Sequence, residues 1–233
     1  LMLADMDSLE KRVVSLEKKG KQGDKEAKEM ADLMGRALVL LREGKPARLV
    51  QRTADEEKMF RGLGLLSSKP VLYVCNVEEA SADKGNEFSA RVKEFAAKEG
   101  NTAVVVSAKI ESEIAILPLA DQKDYLDAVG LEEPGLNRVI RAGYDLLHLV
   151  TYFTVGPKEA RAWTITRGTK APAAAGVIHT DFEKGFIRSE TIGYEDYVKN
   201  NGEAGAKEAG KFRLEGKEYV VLDGDVMHFR FAN

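Results

Sequence analysis

The segment 69-KPVLYVCNVEEAS-81 places an apolar run directly before an amide and two carboxylates. The run from Pro70 to Cys75 predicts a strand that is buried on both faces, as strands inside parallel sheets are. An amphipathic helical pattern follows, and then a second apolar run, 103-AVVVSA-108. Strand, helix and strand in this order predict an α/β fold with a parallel sheet.

The polar residues that follow these two strands predict a ligand site. In an open parallel sheet, ligands bind beyond the carboxyl ends of the strands. Asn76 and Glu79 follow the first strand, and Ser107, Ala108 and Lys109 follow the second. An amide that donates and accepts, beside a carboxylate that accepts, can recognise the polar edge of a purine, and a lysine stem can cover a flat ring. A plain Asn turn before a helix cap has the same pattern, so Asn76 and Glu79 alone are weak evidence for a nucleotide site. The Ser-Ala-Lys loop after the second strand strengthens this evidence.

The composition restricts the classes of protein that this chain can belong to. Its 233 residues are 44% hydrophobic and 31% charged, with a net charge of -3, which suits a globular chain of one to three domains. A slightly acidic chain binds a polyanion only through a local basic patch. The single cysteine, Cys75, favours a reducing, cytoplasmic compartment. No apolar run approaches the roughly 20 residues that cross a bilayer, so we expect no membrane insertion.

Residues 5–60 have the pattern of a helical hairpin. Apolar residues recur at intervals of three and four in the second helix, at Ala27, Met30, Met34, Ala37 and Leu41. The break at Gly20–Gly23 predicts the turn, and Thr53 with Glu56 predicts a capping box that opens a further helix. The hairpin either packs on a larger core or projects as an arm that meets a partner. The narrow apolar stripe favours the projecting arm.

The remaining residues divide into two parts. Residues 61–148 alternate strand and helix, with helices expected around 111–117, 121–129 and 136–148, but they contain too few strands for a complete doubly wound domain. From residue 149 the pattern changes to a mixed α+β module with a short helix near 194–199. Its predicted strands are 160–166, 186–192, 217–222 and 226–231. The stretch 201-NGEAGAKEAGK-211 predicts a mobile loop.

The three histidines have no metal-ligand spacing, and we predict no metal site among these residues. His148 lies in an apolar stretch and is predicted to be buried in the core. His179, two residues before Asp181, is predicted to make a structural hydrogen bond at a strand end rather than an acid–base pair.

Asn-x-x-Glu and Ser-Ala-Lys, one strand–helix–strand apart, resemble the base-recognition motifs of P-loop GTPases, whose usual form is Asn-Lys-x-Asp. With a glutamate at position 79 in place of the aspartate, the motif resembles that of the Obg-like ATPase, or YchF, subfamily of these proteins. Other stretches that resemble this subfamily are 1-LMLADMDSLEKRV-13, the run from Pro134 to Ile165, 168-GTKAPAAAGVIHTDFEKGFIRSE-190 and 222-LDGDVMHFRF-231. The resemblance extends over nearly all of the chain.

The resemblance implies an ATPase with a GTPase-like domain, an antiparallel coiled-coil arm and a C-terminal TGS domain of the β-grasp, α+β type. Residues 1–4 would end an upstream GTPase-like segment, and residues 5–60 would form the arm. Residues 61–148 would form the C-terminal half of the nucleotide-binding domain, and residues 149–233 the TGS domain.

The resemblance also implies roles for the site residues. Asn76 would bond the adenine edge and Val77 would line the ring, while Ser107, Ala108 and Lys109 would close the other side of the base. The aspartate of Asn-Lys-x-Asp accepts two hydrogen bonds from guanine, and adenine has no such pair of donors. With Glu79 at that position, ATP is the expected ligand. Binding of GTP stays open, because Ser-Ala-Lys is typical of GTPases.

The chain departs from the P-loop pattern in one respect, since it contains no G-x-x-x-x-G-K-[ST] motif. The phosphate loop, the Mg²⁺ ligands and the catalytic residues are therefore expected upstream of Leu1, and we assign no catalytic residue here. The resemblance implies a monomer that meets the ribosome or RNA through its arm and TGS domain. That domain has a loose basic set, Lys158, Arg161, Arg167, Lys170, Lys184 and Arg188. The alternative is a non-catalytic module that binds RNA or protein.

Overall fold

Two units make up the described chain, residues 1–232 of the computed structural model: Leu1–Val71 and the residues from Leu72 onward. The first unit is helical, and the second combines helices with two sheets. Among the described residues, no helix has both the length and the apolar character required to cross a membrane.

The first unit is built on two antiparallel helices. Its helices are α1 (Met2–Lys21), α2 (Lys25–Arg42) and α3 (Ala54–Gly62). Four of the five predicted seam residues of α2 are buried, and the fifth, Met30, packs against the same core. The spacing of apolar residues therefore identified the face of α2 that packs on α1.

Side-chain caps explain where α2 and α3 begin. Asp24 caps α2, and its carboxylate accepts a hydrogen bond from the Ala27 amide at 3.0 Å. The predicted capping box of α3 is confirmed. The Thr53 hydroxyl accepts from the Glu56 amide at 3.3 Å, and the Glu56 carboxylate accepts from the Thr53 amide at 2.8 Å.

The first part of the second unit confirms the predicted parallel α/β arrangement. Strand β1 (Leu72–Asn76), helix α4 (Glu87–Lys98) and strand β2 (Thr102–Val106) follow one another, and the two strands pair in parallel. Three helices follow, which are α5 (Ala108–Ile114), α6 (Leu119–Ala128) and α7 (Gly135–Leu146).

The prediction that the first strand is buried on both faces is wrong for this structure. Val74, at the middle of β1, is 50% exposed. Within residues 1–232, β1 pairs with β2 along one edge and has no strand on the other. The apolar run thus belongs to a parallel strand whose side chains remain partly exposed.

The C-terminal part forms a five-stranded mixed sheet. Its strands are β3 (Leu149–Val155), β4 (Ala160–Thr166), β5 (Phe186–Gly193), β6 (Arg213–Glu215) and β7 (Asp225–Phe231). The order across the sheet is β4-β3-β7-β5-β6, with β3 and β7 parallel. Its helices are α8 (Ala171–Ile178), α9 (Thr180–Lys184), α10 (Tyr194–Lys199) and α11 (Glu203–Glu208). At the core, Tyr152 is fully buried, and its hydroxyl donates to the Ala174 carbonyl at 2.9 Å.

Two predicted secondary-structure elements of this part are wrong. Residues 217–222 form no strand and make a single bridge between Val220 and Lys170. The expected mobile loop at 201–211 contains α11, in which Ala206 is fully buried. Its glycine permits close packing, since a Cβ at Gly205 would overlap the carbonyl oxygen of Asn200. The small residues that predicted a mobile loop instead allow this segment to pack closely against its neighbours.

The structure also adds a strand and places two histidines. Strand β3 was not predicted, because its alternating pattern directly follows the apolar face of α7. His148, at the junction of α7 and β3, is exposed with a φ of 53°, so its prediction as a core residue is wrong. The structural hydrogen bond predicted for His179 is present, since its Nδ1 accepts from the Asp181 amide at 3.2 Å. The predicted strand end is wrong, because His179 lies between two helices and caps α9.

Candidate functional site

The register of the parallel pair brings the two polar loops together. Asn76 lies opposite Val106, and the Val77 amide donates to the Val106 carbonyl at 2.9 Å. Both strands therefore end at the same level, and the residues that follow them lie side by side.

Two contacts join the loops directly. The Asn76 Oδ1 accepts a hydrogen bond from the Ala108 amide at 2.9 Å. The Lys109 Nζ donates to the Glu79 Oε2 at 2.7 Å, as an ion pair. The structure therefore brings four of the six predicted site residues into direct contact, two from each loop.

The other two predicted residues lie beneath this surface. Val77 is 8% exposed and lies directly behind the Asn76 backbone. Ser107 is 2% exposed, and its hydroxyl has no hydrogen-bond partner within the described residues. An unpartnered buried hydroxyl costs free energy, so this position is a polar group that a bound ligand or water could satisfy.

The electrostatics of the site are set by the exposed ion pair. The side chains of Lys109 and Glu79 are 65% and 46% exposed. The hydrogen bond to Glu79, followed by the charge of that carboxylate, raises the pKa of Lys109. The lysine is therefore charged throughout the physiological pH range, and it forms an exposed ion pair with Glu79.

Three residues that sequence reasoning did not assign, Glu78, Ser81 and Asn86, hold the first loop in place. Glu78 accepts hydrogen bonds from the Ser81 hydroxyl and from the Asn86 amide, the second at 3.0 Å. The bond from Ser81, with a smaller contribution from Asn86, lowers the pKa of Glu78. Glu78 thus supports its own loop while Glu79 reaches across to the other. The Asn-x-x-Glu motif indicated Glu79 as the site residue, but no local pattern predicted the supporting role of Glu78, because that role depends on where Ser81 and Asn86 lie.

A groove of about 360 Å³ adjoins the site. Asn76 and Val77 line it together with Asn86 and the ring of Phe88, which is 71% exposed. The site can therefore offer a flat ring an apolar surface and the donor group of one amide. In the described residues, the Asn76 Nδ2 makes no hydrogen bond of its own, so it is free to donate to a ring nitrogen.

The residues of this site do not suit a magnesium ion. Mg²⁺ prefers several carboxylate or phosphate oxygens in an octahedral arrangement. Glu79 supplies a carboxylate that is already paired with Lys109, whose ammonium group would repel a cation. Within residues 1–232, no group of three or more His, Cys, Asp or Glu side chains could hold a metal ion.

Comparisons with known proteins give one consistent family. Residues 149–232 match the family model YchF-GTPase_C, described as a protein of unknown function (DUF933). The chain is 54% identical over 231 residues to the ribosome-binding ATPase YchF of Haemophilus influenzae, covering 99% of this chain and 63% of that protein. It is 51% identical over 233 residues to the ribosome-binding ATPase YchF of Bacillus subtilis, covering 99% of this chain and 64% of the relative.

A solved structure is similar over nearly the whole chain. The YchF GTPase of Schizosaccharomyces pombe superposes with a TM-score of 0.82 at 31% identity, covering 98% of this chain and 63% of that one. The chain thus spans a little under two thirds of the proteins that it matches.

Proposed function

The chain belongs to the YchF family, and from this premise we propose that it provides the base-binding edge of a purine-nucleotide site in an ATP-preferring, ribosome-associated nucleotide hydrolase. The observation that best supports this function is the pair of contacts that joins the two loops, Asn76 to the Ala108 amide and Glu79 to Lys109. Loops joined in this way present one continuous surface to a base.

The same contacts favour adenine over guanine. Guanine recognition uses an N–H donor for the carbonyl oxygen of the base and a free carboxylate for its N–H groups. Here the Ala108 amide already donates to Asn76, and the Glu79 carboxylate is occupied by Lys109. The free Nδ2 of Asn76 suits the acceptor nitrogen N7, and the lysine stem would cover the ring; these two contacts are available to either purine, so the preference rests on Ala108 and Glu79.

The domain assignments belong to this proposal. Residues 5–60 would form the coiled-coil arm, and residues 61–148 the base-binding half of the nucleotide domain. The residues from 149 onward would form the TGS domain. The phosphate loop, the Mg²⁺ ligands and the hydrolytic residues would come from outside these 233 residues, because the site described here contains no group that suits them. The relatives named as ribosome-binding ATPases support a ribosomal partner for this chain.

Nucleotide titrations of the protein at its full natural length test the proposal. Isothermal titration calorimetry is expected to show ATP binding about tenfold or more tighter than GTP. The variant Asn76→Ala should weaken ATP binding by about tenfold, since it removes one donor to the base and the acceptor that orders the second loop.

A matched variant controls for the loss of an amide elsewhere in the unit. Asn137 is an exposed residue of α7, and within the described residues its side chain makes no hydrogen bond, so Asn137→Ala should leave the affinity for ATP unchanged. GTP binding that equals or exceeds ATP binding would overturn the adenine assignment.

A further inference from the structure

Strand β4 forms one edge of the C-terminal sheet, and this edge has few of the features that prevent further pairing. The strand is seven residues long and pairs with β3 without a register shift. On its other side, no strand pairs with it within residues 1–232. Proteins usually protect an edge with a short strand, prolines, charges or a bulge. The only charged residue of β4 is Arg161, and the strand contains no proline.

The opposite edge of the same sheet is protected. It is formed by β6, which is only three residues long. Two of these residues, Arg213 and Glu215, are charged and pair with each other at 3.3 Å. A short, charged strand offers little backbone to a partner. Of the two edges, β4 is therefore the one that is open to a further strand.

The register shows which backbone groups of β4 are free. The Gly156 amide donates to the Glu159 carbonyl at 2.9 Å, and the Arg167 amide donates to the His148 carbonyl at 2.6 Å. Hydrogen-bonded pairs alternate along an antiparallel ladder, so the odd-numbered residues of β4 bond to β3. Three exposed residues point their amide and carbonyl groups to the free side: Ala160, Ala162 and Thr164. Within the described part of the chain, these groups make no hydrogen bond.

Arg161 is held in place at this edge without a charged partner. Its guanidinium group lies over the ring of Trp163, 4.2 Å from the ring centroid. The ring is itself fixed, since the Trp163 Nε1 donates to the Thr154 hydroxyl at 2.9 Å. Among residues 1–232, the guanidinium makes no hydrogen bond and no ion pair. An arginine that is ordered by a ring and keeps its donors free is suited to bind a carboxylate in bidentate fashion.

The charge around β4 has the same sign. Residues 158–167 contain the cations Lys158, Arg161 and Arg167 and the single acid Glu159, which gives a local net charge of +2 in a chain of net charge -3. Arg167 is paired with Asp145 at 3.3 Å, but Lys158 makes no ion pair within the described residues. An acidic partner therefore complements this edge.

We propose that the free edge of β4 binds an extended acidic segment of a partner protein, which adds a strand to the sheet. In this mode, main-chain hydrogen bonds provide affinity, and alternate side chains provide specificity. Side chains directly opposite each other on paired strands have Cβ atoms about 4.5–5.5 Å apart. A glutamate opposite Arg161 thus reaches the guanidinium, and an apolar side chain two positions along lies opposite Trp163. The ligand is a strand-forming segment with an acidic and an apolar residue at this spacing.

Two other occupants fit this edge less well. The strand β4 contains no acidic residue, so a second copy that pairs along its full length offers Arg161 no carboxylate. The phosphate oxygens of a nucleic acid accept hydrogen bonds from the free amides but repel the carbonyl oxygens that alternate with them. An added strand satisfies both kinds of backbone group.

Fluorescence anisotropy with the protein at its full natural length tests the proposal. The probe is a labelled peptide of about nine residues in which a glutamate and a valine stand two positions apart among threonines. We expect a dissociation constant of about 100 µM or tighter. Replacing the glutamate by lysine should weaken binding at least about tenfold. Placing the glutamate and the valine side by side, on opposite faces of the strand, should weaken it to a similar extent.

A charge reversal tests the role of Arg161. The variant Arg161→Glu should bind the glutamate peptide at least about tenfold more weakly and the lysine peptide about tenfold more tightly. Loss of folding cannot produce this exchange of preference. The matched control is Lys184→Glu, which changes the same charge at an exposed residue of α9 that makes no ion pair within residues 1–232. It should bind the glutamate peptide within about threefold of the natural protein. Equal effects of the two variants would overturn the proposal.

Amide hydrogen exchange followed by NMR locates the peptide. In the free protein, the amides of Ala160, Ala162 and Thr164 should exchange fast, and the glutamate peptide should slow them. If they are already protected without peptide, the rest of the protein or a second copy covers the edge, and the proposal is wrong. Peptide binding that leaves them unprotected would place the site elsewhere. An RNA hairpin that protects them as the peptide does would assign the edge to nucleic acid instead.

Discussion

Asn76 shows how one side chain can both organise a site and take part in it. Its carbonyl oxygen fixes the Ala108 amide at 2.9 Å, and its NH₂ group stays free for a ligand. The two adjacent glutamates, Glu78 and Glu79, bond to different loops. Glu78 bonds within its own loop, and Glu79 reaches Lys109 in the other. Both assignments follow from where the hydrogen-bond partners lie and not from residue type.

The role of the Glu79 carboxylate can be tested by replacing it with the amide of glutamine, which has nearly the same shape. Because adenine has no pair of N–H donors for a carboxylate, we expect Glu79→Gln to leave the affinity for ATP within about threefold of the natural protein. Calorimetric titration of the full-length protein measures this directly. A fall of more than about tenfold would contradict this expectation and show that binding requires the carboxylate, through the ligand or through Lys109.

At the scale of elements, the helical unit depends on one buried carboxylate near its beginning. Asp5, in the first turn of α1, is 3% exposed. It accepts hydrogen bonds from the Leu66 amide at 2.8 Å and the Ser67 amide at 2.7 Å, and from the Ser67 hydroxyl. These donors lie in the one-turn 3-10 helix Leu66–Ser68. The carboxylate therefore joins the beginning of the unit to its end.

Removal of this carboxylate should be costly. Asp5→Ala leaves buried N–H and O–H donors without a partner, so we expect the free energy of unfolding of the helical unit to fall by about 3 kcal/mol. Urea unfolding followed by circular dichroism measures the change. The control is Asp7→Ala, since Asp7 is exposed on the same helix and should change stability by about 0.5 kcal/mol or less. Equal effects of the two variants would show that the buried bonds do not stabilise the unit.

At the scale of the whole molecule, the proposed site would bind the base of a nucleotide without its phosphates. The sequence has no G-x-x-x-x-G-K-[ST] motif, and the joined polar loops lie at the ends of β1 and β2.

The missing phosphate contacts lead to a prediction for the 233-residue chain expressed by itself. Adenosine, AMP and ATP should bind with affinities within about threefold of one another, because only the base makes specific contacts. Saturation-transfer NMR with each ligand measures the three dissociation constants. A preference for ATP of about tenfold or more would show that these residues also bind the phosphates.

Much of this architecture could be predicted from local patterns. The face of α2 that packs on α1, the capping box at Thr53 and the parallel strand pair each depend on residues a few positions apart, whose spacing determines backbone conformation directly. The same reasoning failed at 201–211, where small residues are compatible with either a mobile loop or a tightly packed helix. Strand β3 was missed because its apolar residues continue the pattern of the preceding helix.

The sequence by itself thus determined the helical hairpin, the order of β1, α4 and β2, and the two polar motifs that follow these strands. Only the tertiary structure decided that Asn76 bonds the Ala108 amide, 32 positions away, and that Glu79 rather than Glu78 meets Lys109. The physical reason is that these contacts depend on the register of β1 against β2. That register is fixed by backbone hydrogen bonds between the two strands and by packing against them, and no local pattern of residues encodes it.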